Sequence, residues 1–174
     1  MTRIVRGVSL LFSGLFAGFL LCVLVLEHSL RAFDASVYTQ VRLVELDSLD
    51  KLASVTLIPA IITTVLLALR SRGTGRRVVV AAVVLLAVVF VTTFVVNLPI
   101  NSDQTAWSVQ QPPPDWAAVR DRWQVAHLVR TVAAMLAFGV LVWSAGRPDP
   151  VVRDGVRGVA VEARRGLGGG QRVQ

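Results

Sequence analysis

The chain has 174 residues, 54% of them hydrophobic, with a mean hydropathy of +0.64 and a formal charge of +7. Its apolar residues are gathered into four long blocks, which excludes an ordinary soluble domain and suits one compact helical unit. The basic residues flank those blocks and form no patch interleaved with aromatics, so nucleic acid is not an expected partner, and Cys22, the only cysteine, excludes an intrachain disulfide or a Cys-based metal motif.

The first block runs from Val8 to Leu26, close to the ~20 residues that cross a hydrocarbon core of ~30 Å as a helix. Arg3 and Arg6 before it resemble the start of a signal peptide. The block exceeds the usual apolar region of such a peptide, however, and Glu27-His28-Ser29 is a poor cleavage site, so it is read as a span. Gly7, Gly14, Gly18 and Cys22 form a small-residue stripe suited to helix packing. Glu27 lies roughly opposite, on the face of Ser9, Ser13 and Leu20, and the sequence leaves open whether it faces the bundle or water.

Asp34 is placed to cap a helix by accepting the free backbone N–H groups of its first turn. From there Val37, Val41, Val44 and Leu49 alternate with Arg42, Glu45, Asp47 and Asp50 at amphipathic spacing. This helix is expected to run on into the second span, Leu52 to Leu69, and so to project beyond the outer membrane face. Glu45, Ser48, Leu52, Thr56, Pro59 and Thr63 follow at steps of three or four on one face. They suit either a substrate-facing stripe or a solvated helix end above hydroxyls bonded to their own backbone. Ser71 to Gly75 is a tight turn, making spans two and three antiparallel neighbours.

The third span, Val78 to Val96, is rich in valine, but a lone strand in lipid would leave its backbone unpaired, so it is a helix. Pro99 is expected to end it, with Asn97 and Asn101 either bonding freed carbonyls or facing a substrate. Pro112 to Pro114 make the following loop stiff. In the approach to the fourth span, about 125–145, Arg120, Trp123, His127 and Arg130 share one helical face that Ala134 and Ala137 continue. Small residues suit close helix contact, so His127 and Arg130 should point into the bundle, where ionisable groups mark a functional site. The competing explanation is snorkelling of Arg130 to the headgroups beside a Trp123 anchor. From Pro148 onward a basic, glycine-rich tail is expected to be disordered near anionic lipid.

Twelve basic residues fall before the first span, in the 70–77 turn and after the fourth span, against six elsewhere, so both termini are expected in the cytoplasm. Only Lys51 among the basic residues is lysine, a bias of GC-rich bacterial genomes, which makes a bacterial plasma membrane the expected location.

Asn97-x-Pro99-x-Asn101, Trp116 and Trp123 flanking Arg120 and Arg122, and His127-x-x-Arg130-Thr131 resemble the anthrone oxygenase-like family of small four-helix membrane proteins. The resemblance runs from the first span to the end of the fourth and leaves out the tail. It implies oxidation of an anthrone to an anthraquinone by O₂, with no flavin or haem as cofactor. The Glu27-His28 pair and the Tyr38–Asp50 helix are not matched to that pattern. An acidic C–H beside an aromatic ketone needs a base, for which His127 has the right ordinary pKa, and Arg130 would hold the oxyanion. Asn97 and Asn101 would orient a carbonyl or phenol, Trp116 and Trp123 would stack on a flat ring, and Glu27 and Glu45 complete the expected substrate contacts.

Two other classes stand beside this one. His28 and His127 would in principle ligate a haem, or Glu27, Glu45, Asp103 and His127 a metal, although no Glu-x-x-His or His-x-x-x-His spacing supports either. A non-catalytic membrane partner would use the glycine stripe and the helix near Tyr38. Transport fits less well, because the spans hold no mid-membrane acid.

Overall fold

In a computed structural model, which describes residues 2–146, the chain is helical, with no strand among the described residues. The basic tail from Pro148 lies outside the described residues. The helices are α1 (Thr2–Ser29), α2 (Ala35–Arg70), α3 (Gly73–Thr92), the short α4 (Leu98–Gln104) and α5 (Trp116–Ala145). Four stretches are long and apolar enough to cross a membrane: Arg3–Ala32, Ala35–Arg70, Gly73–Gln104 and Trp116–Ala145. They close into a bundle in which α1 packs on α2 and α5, and α3 packs on the same two helices.

Asp34 starts α2 as expected, its Oδ1 accepting the N–H groups of Ser36 and Val37, each at 3.0 Å. The helix then runs unbroken for 36 residues, roughly 54 Å at 1.5 Å per residue and well beyond a ~30 Å hydrocarbon core. Pro59 does not interrupt it: the Thr63 hydroxyl donates to the Pro59 carbonyl at 2.6 Å, and Thr56 bonds Leu52 in the same way at 2.8 Å. Only Ser71 and Arg72 separate α2 from α3, and the turn depends on Gly73, whose φ of +57° strains any residue with a Cβ.

Pro99 does not end the third helix. A π turn over Thr93–Asn97 widens the backbone, and the chain continues as α4 to Gln104. The proline sits in the first turn of α4, where its missing N–H is not needed. The extra residue in the turn sets Asn97, Ile100, Asn101 and Gln104 on one buried face.

The interior of α1 is not its glycine stripe. Gly7, Gly18 and Cys22 are exposed, and of the stripe only Gly14 is closely approached, by the Phe138 ring. Ser9, Ser13, Phe16, Leu20 and Glu27 turn inward instead. Polar groups in lipid need partners, and two of these have them across the bundle: Ser9 and Thr64 hydroxyls meet at 2.8 Å, and Glu27 meets Arg42. Below them Leu67, Val79, Ala82, Leu86, Ala137 and Leu141 form a wholly apolar layer.

Candidate functional site

At the end of the bundle remote from the α2–α3 turn, the last turn of α1, the first turns of α2 and α5, and α4 converge on Arg42. Its Nη1 lies 2.7 Å from Glu45 Oε2 and 3.3 Å from Glu27 Oε1, with all three side chains buried. Its Nε donates to Gln104 Oε1 at 2.9 Å and its Nη2 to Asn101 Oδ1 at 2.7 Å. The guanidinium also lies over the Trp123 ring, with Cζ 3.9 Å from the centroid. A buried charge is retained only when paired and hydrogen-bonded, and this one uses four side chains and an aromatic face to meet that condition.

Asn101 ties this cluster to α5. Its Oδ1 also accepts Trp123 Nε1–H at 2.7 Å, and its Nδ2 donates to the Asp50 carboxylate at 3.1 and 3.2 Å. Asn97, on the same face one turn earlier, donates to the Trp123 carbonyl at 3.3 Å. Trp123 in turn stacks on His127, with centroids 4.8 Å apart and planes 8° from parallel.

His127 is fully buried with both ring nitrogens engaged. Nε2 lies 2.9 Å from the Leu20 carbonyl, which only accepts, so this nitrogen carries the proton. Nδ1 accepts from Arg130 Nε at 3.0 Å and Nη2 at 2.9 Å, which makes His127 a neutral acceptor under a guanidinium. Arg130, itself buried, extends Nη1 toward the Thr93 hydroxyl at 3.4 Å, in the π turn. It therefore points into the bundle and does not snorkel.

Glu27 and Glu45, whose placement the sequence left open, are both inside. Gln124 bridges the cluster to the surface: its amide nitrogen donates to Glu27 Oε2 at 2.9 Å and to the Glu27 carbonyl at 2.8 Å, and its oxygen accepts from Arg31 Nη1. Arg31 is held from outside by Asp121 at 3.1 Å. Trp116 lies apart from His127. It packs on Tyr38 with ring centroids 5.5 Å apart and faces Arg120 at 4.9 Å; Trp107 also flanks Tyr38, which is fully buried.

Among the described residues, Glu27 Oε1, Glu45 Oε1, Tyr38 Oη and Gln104 Nε2 have no hydrogen-bond partner. Glu27 Oε1 still has the Arg42 guanidinium 3.3 Å away, and buried polar atoms are concentrated around this one arginine. No three His, Cys, Asp or Glu residues are set to hold an ion among the described residues. Of the earlier metal candidates, His28 and Asp103 are exposed.

The helices, the motif residues and their convergence agree with one comparison. The family model for anthrone oxygenase matches residues 49–140, just over half the chain. The chain belongs to the anthrone oxygenase family. The matched segment carries Asn97, Asn101, Trp116, Trp123, His127 and Arg130 of this anthrone oxygenase family member. Glu27, Arg42 and Glu45 precede it, so half of the buried ion cluster comes from outside the matched segment. No curated protein and no solved structure matches the chain.

Arg42, Gln104, Gln124 and Asp50 are the site residues the sequence reading missed. Arg42 carries a usable signal: it lies three residues before Glu45 on a helix, where the amphipathic pattern alone reads it as part of a polar face. Gln104 and Gln124 carried none, because a glutamine near a helix end is ordinary.

Proposed function

We propose that this protein catalyses the O₂-dependent oxidation of a flat phenolic or anthrone-like substrate, without a cofactor, in the polar cluster around Arg42, His127 and Arg130. The cluster faces outward from a bacterial plasma membrane, both termini are cytoplasmic, and the first part of α2 projects beyond the bilayer. The observation that carries this reading is the His127–Arg130 contact, a neutral imidazole and a buried guanidinium side by side on a span of a family named for this reaction. Ionisable groups held inside membrane helices are costly and are kept for function.

The chemistry divides between them. An anthrone has a CH₂ activated by two rings and a ketone. Removal of one proton leaves an anion delocalised onto the ketone oxygen. Arg130 turns from Nδ1 to that oxyanion, which bares the imidazole lone pair and takes away the cation opposing its protonation, so His127 accepts the proton. The electron-rich anion passes one electron to O₂, and the two radicals combine at the same carbon. His127 returns its proton to the peroxide anion formed there, giving the hydroperoxide. Loss of the second C–H proton with cleavage of the O–O bond then gives the quinone carbonyl and one water. Trp123, held by Asn101 and packed against both Arg42 and His127, fixes the plane of the imidazole, and Asn97 and Asn101 are the amides nearest the substrate's carbonyl or phenol.

The reading is tested by O₂ uptake of membranes carrying the protein, with a panel of hydroxyanthrones and the spontaneous rate subtracted. Uptake that saturates with one class of hydroxyanthrone supports it, and uptake equal to protein-free membranes for the whole panel rejects it. A non-catalytic partner role is the second reading, favoured by the exposed face of Gly7, Gly18 and Cys22.

A further inference from the structure

Between α1 and α5, at the same end as the ion cluster, lies a cleft of about 460 Å³. Its walls are Leu24 and Val25 from α1 and Val125 and Leu128 from α5. Val25, Val125 and Leu128 are exposed on helices long and apolar enough to span a membrane, so the cleft opens sideways toward lipid. Glu27, His28, Ser29 and Gln124 form its polar side, and Arg31 stands at its edge. Small-molecule sites have this make-up: a volume of roughly 300–1,000 Å³, mostly apolar walls and a few polar groups that fix orientation.

Glu27 gives the cleft its chemistry. One carboxylate oxygen, Oε2, accepts from Gln124, while Oε1 is ion-paired with Arg42 at 3.3 Å. The carboxylate is fully buried, and the Gln124 side chain bridges it to Arg31 near the surface. A ligand donor reaching Glu27 therefore replaces the Gln124 amide, which keeps its bond to Arg31. Apolar walls with a carboxylate at depth and further polar groups toward the rim suit a flat, lipid-soluble molecule that carries a hydroxyl on its ring, and a substrate dissolved in the bilayer reaches the cleft without crossing water.

We propose that the α1–α5 cleft is the lateral entrance to the substrate site, and that it takes a hydroxylated polycyclic aromatic from the bilayer, with Glu27 accepting a hydrogen bond from the phenolic hydroxyl. The substrate's identity rests on the oxygenase reading; the cleft and its polarity do not. Bound there, the ring lies beside the α5 turn that carries Gln124 and Leu128, next to His127 in the chain.

Binding of a hydroxyanthraquinone, which already bears the second carbonyl and is not turned over, tests this in lipid nanodiscs by quenching of tryptophan fluorescence. The wild-type chain should bind it saturably. Leu128→Trp, which fills the cleft from the lipid side, should weaken binding at least about tenfold. Glu27→Gln should weaken it by roughly tenfold or more, and the O-methyl ether of the same compound, lacking the donor, should not distinguish Glu27→Gln from wild type. No saturable binding by the wild-type chain, or unchanged affinity in a folded Leu128→Trp, would overturn the proposal. The two readings separate cleanly. Cleft-dependent binding without O₂ uptake retains the cleft and rejects the oxygenase, whereas full O₂ uptake in Leu128→Trp does the reverse.

Discussion

Arg42 and Trp123, from α2 and α5, donate to the same oxygen, Asn101 Oδ1, each at 2.7 Å, while the guanidinium lies over the indole ring. One amide thus fixes a cation and an aromatic plane in mutual register at the end of a lipid-embedded bundle. A fixed orientation of the indole follows from the shared acceptor, because neither donor can rotate without losing its bond to Asn101.

Removing Arg42 should be severe. Arg42→Ala leaves Glu27 and Glu45 as two buried carboxylates without their cation, an expected loss of about 3–5 kcal/mol. Adding Glu45→Gln to that variant removes one of the two charges and should recover part of the loss. Denaturant unfolding in detergent measures both, and a silent Arg42→Ala would mean that the cluster is solvated.

Arg130→Lys separates a fork from a point charge. Arg130 places two N–H groups on His127 Nδ1 and a third toward Thr93, a geometry that a single ammonium does not reproduce. The lysine variant should insert into membranes normally and lose most of its oxidation rate. Lysine snorkels as readily as arginine, so full activity in this variant would reduce Arg130 to an anchor.

Asp34 gives a pH-dependent helix start. The Val37 backbone N–H, the largest influence, holds its carboxyl below the ordinary value of 3.8. A carboxyl lowered on folding stabilises above its unfolded value, and that contribution is lost as the pH falls through the lowered one. Amide exchange at Ser36 and Val37 should therefore be slow near neutral pH and accelerate in strong acid. In Asp34→Ala it should be fast throughout, apart from the intrinsic pH dependence of exchange.

Orientation is tested by reporter fusions. Fusions at Gly73 should read cytoplasmic, and those at Ser36 and Pro113 external, as the excess of arginines around the 70–77 turn requires. An external signal at Gly73 would invert the bundle and place the ion cluster on the cytoplasmic side.

The spans and the inward face of α5 were legible in the sequence because each depends on a local period. Trp123, His127, Arg130, Ala134 and Ala137 recur at steps of three and four, and all are buried. The course of α3 was not legible, since a proline usually ends a helix and only the π turn at Thr93–Asn97 lets Pro99 begin another turn. The glycine stripe does not by itself say which face of α1 lies inside the bundle. Small residues permit close packing but do not require it, whereas Glu27 requires a cation, and Arg42 lies on the side that the stripe does not face. Partners fifteen or more residues apart, such as Glu27 with Arg42 or Arg42 with Asn101, carry no periodic signal and emerge only from the fold.

The central claim, that the His127–Arg130 site drives O₂ into an anthrone, is tested most directly with ¹⁸O₂. Membranes carrying the wild-type chain and a hydroxyanthrone should form the quinone faster than protein-free membranes, with one labelled atom in the new carbonyl and its partner in water. Arg130→Lys should return the rate to background. A quinone whose new oxygen comes from water, or a labelled product formed no faster than in protein-free membranes, would contradict the account.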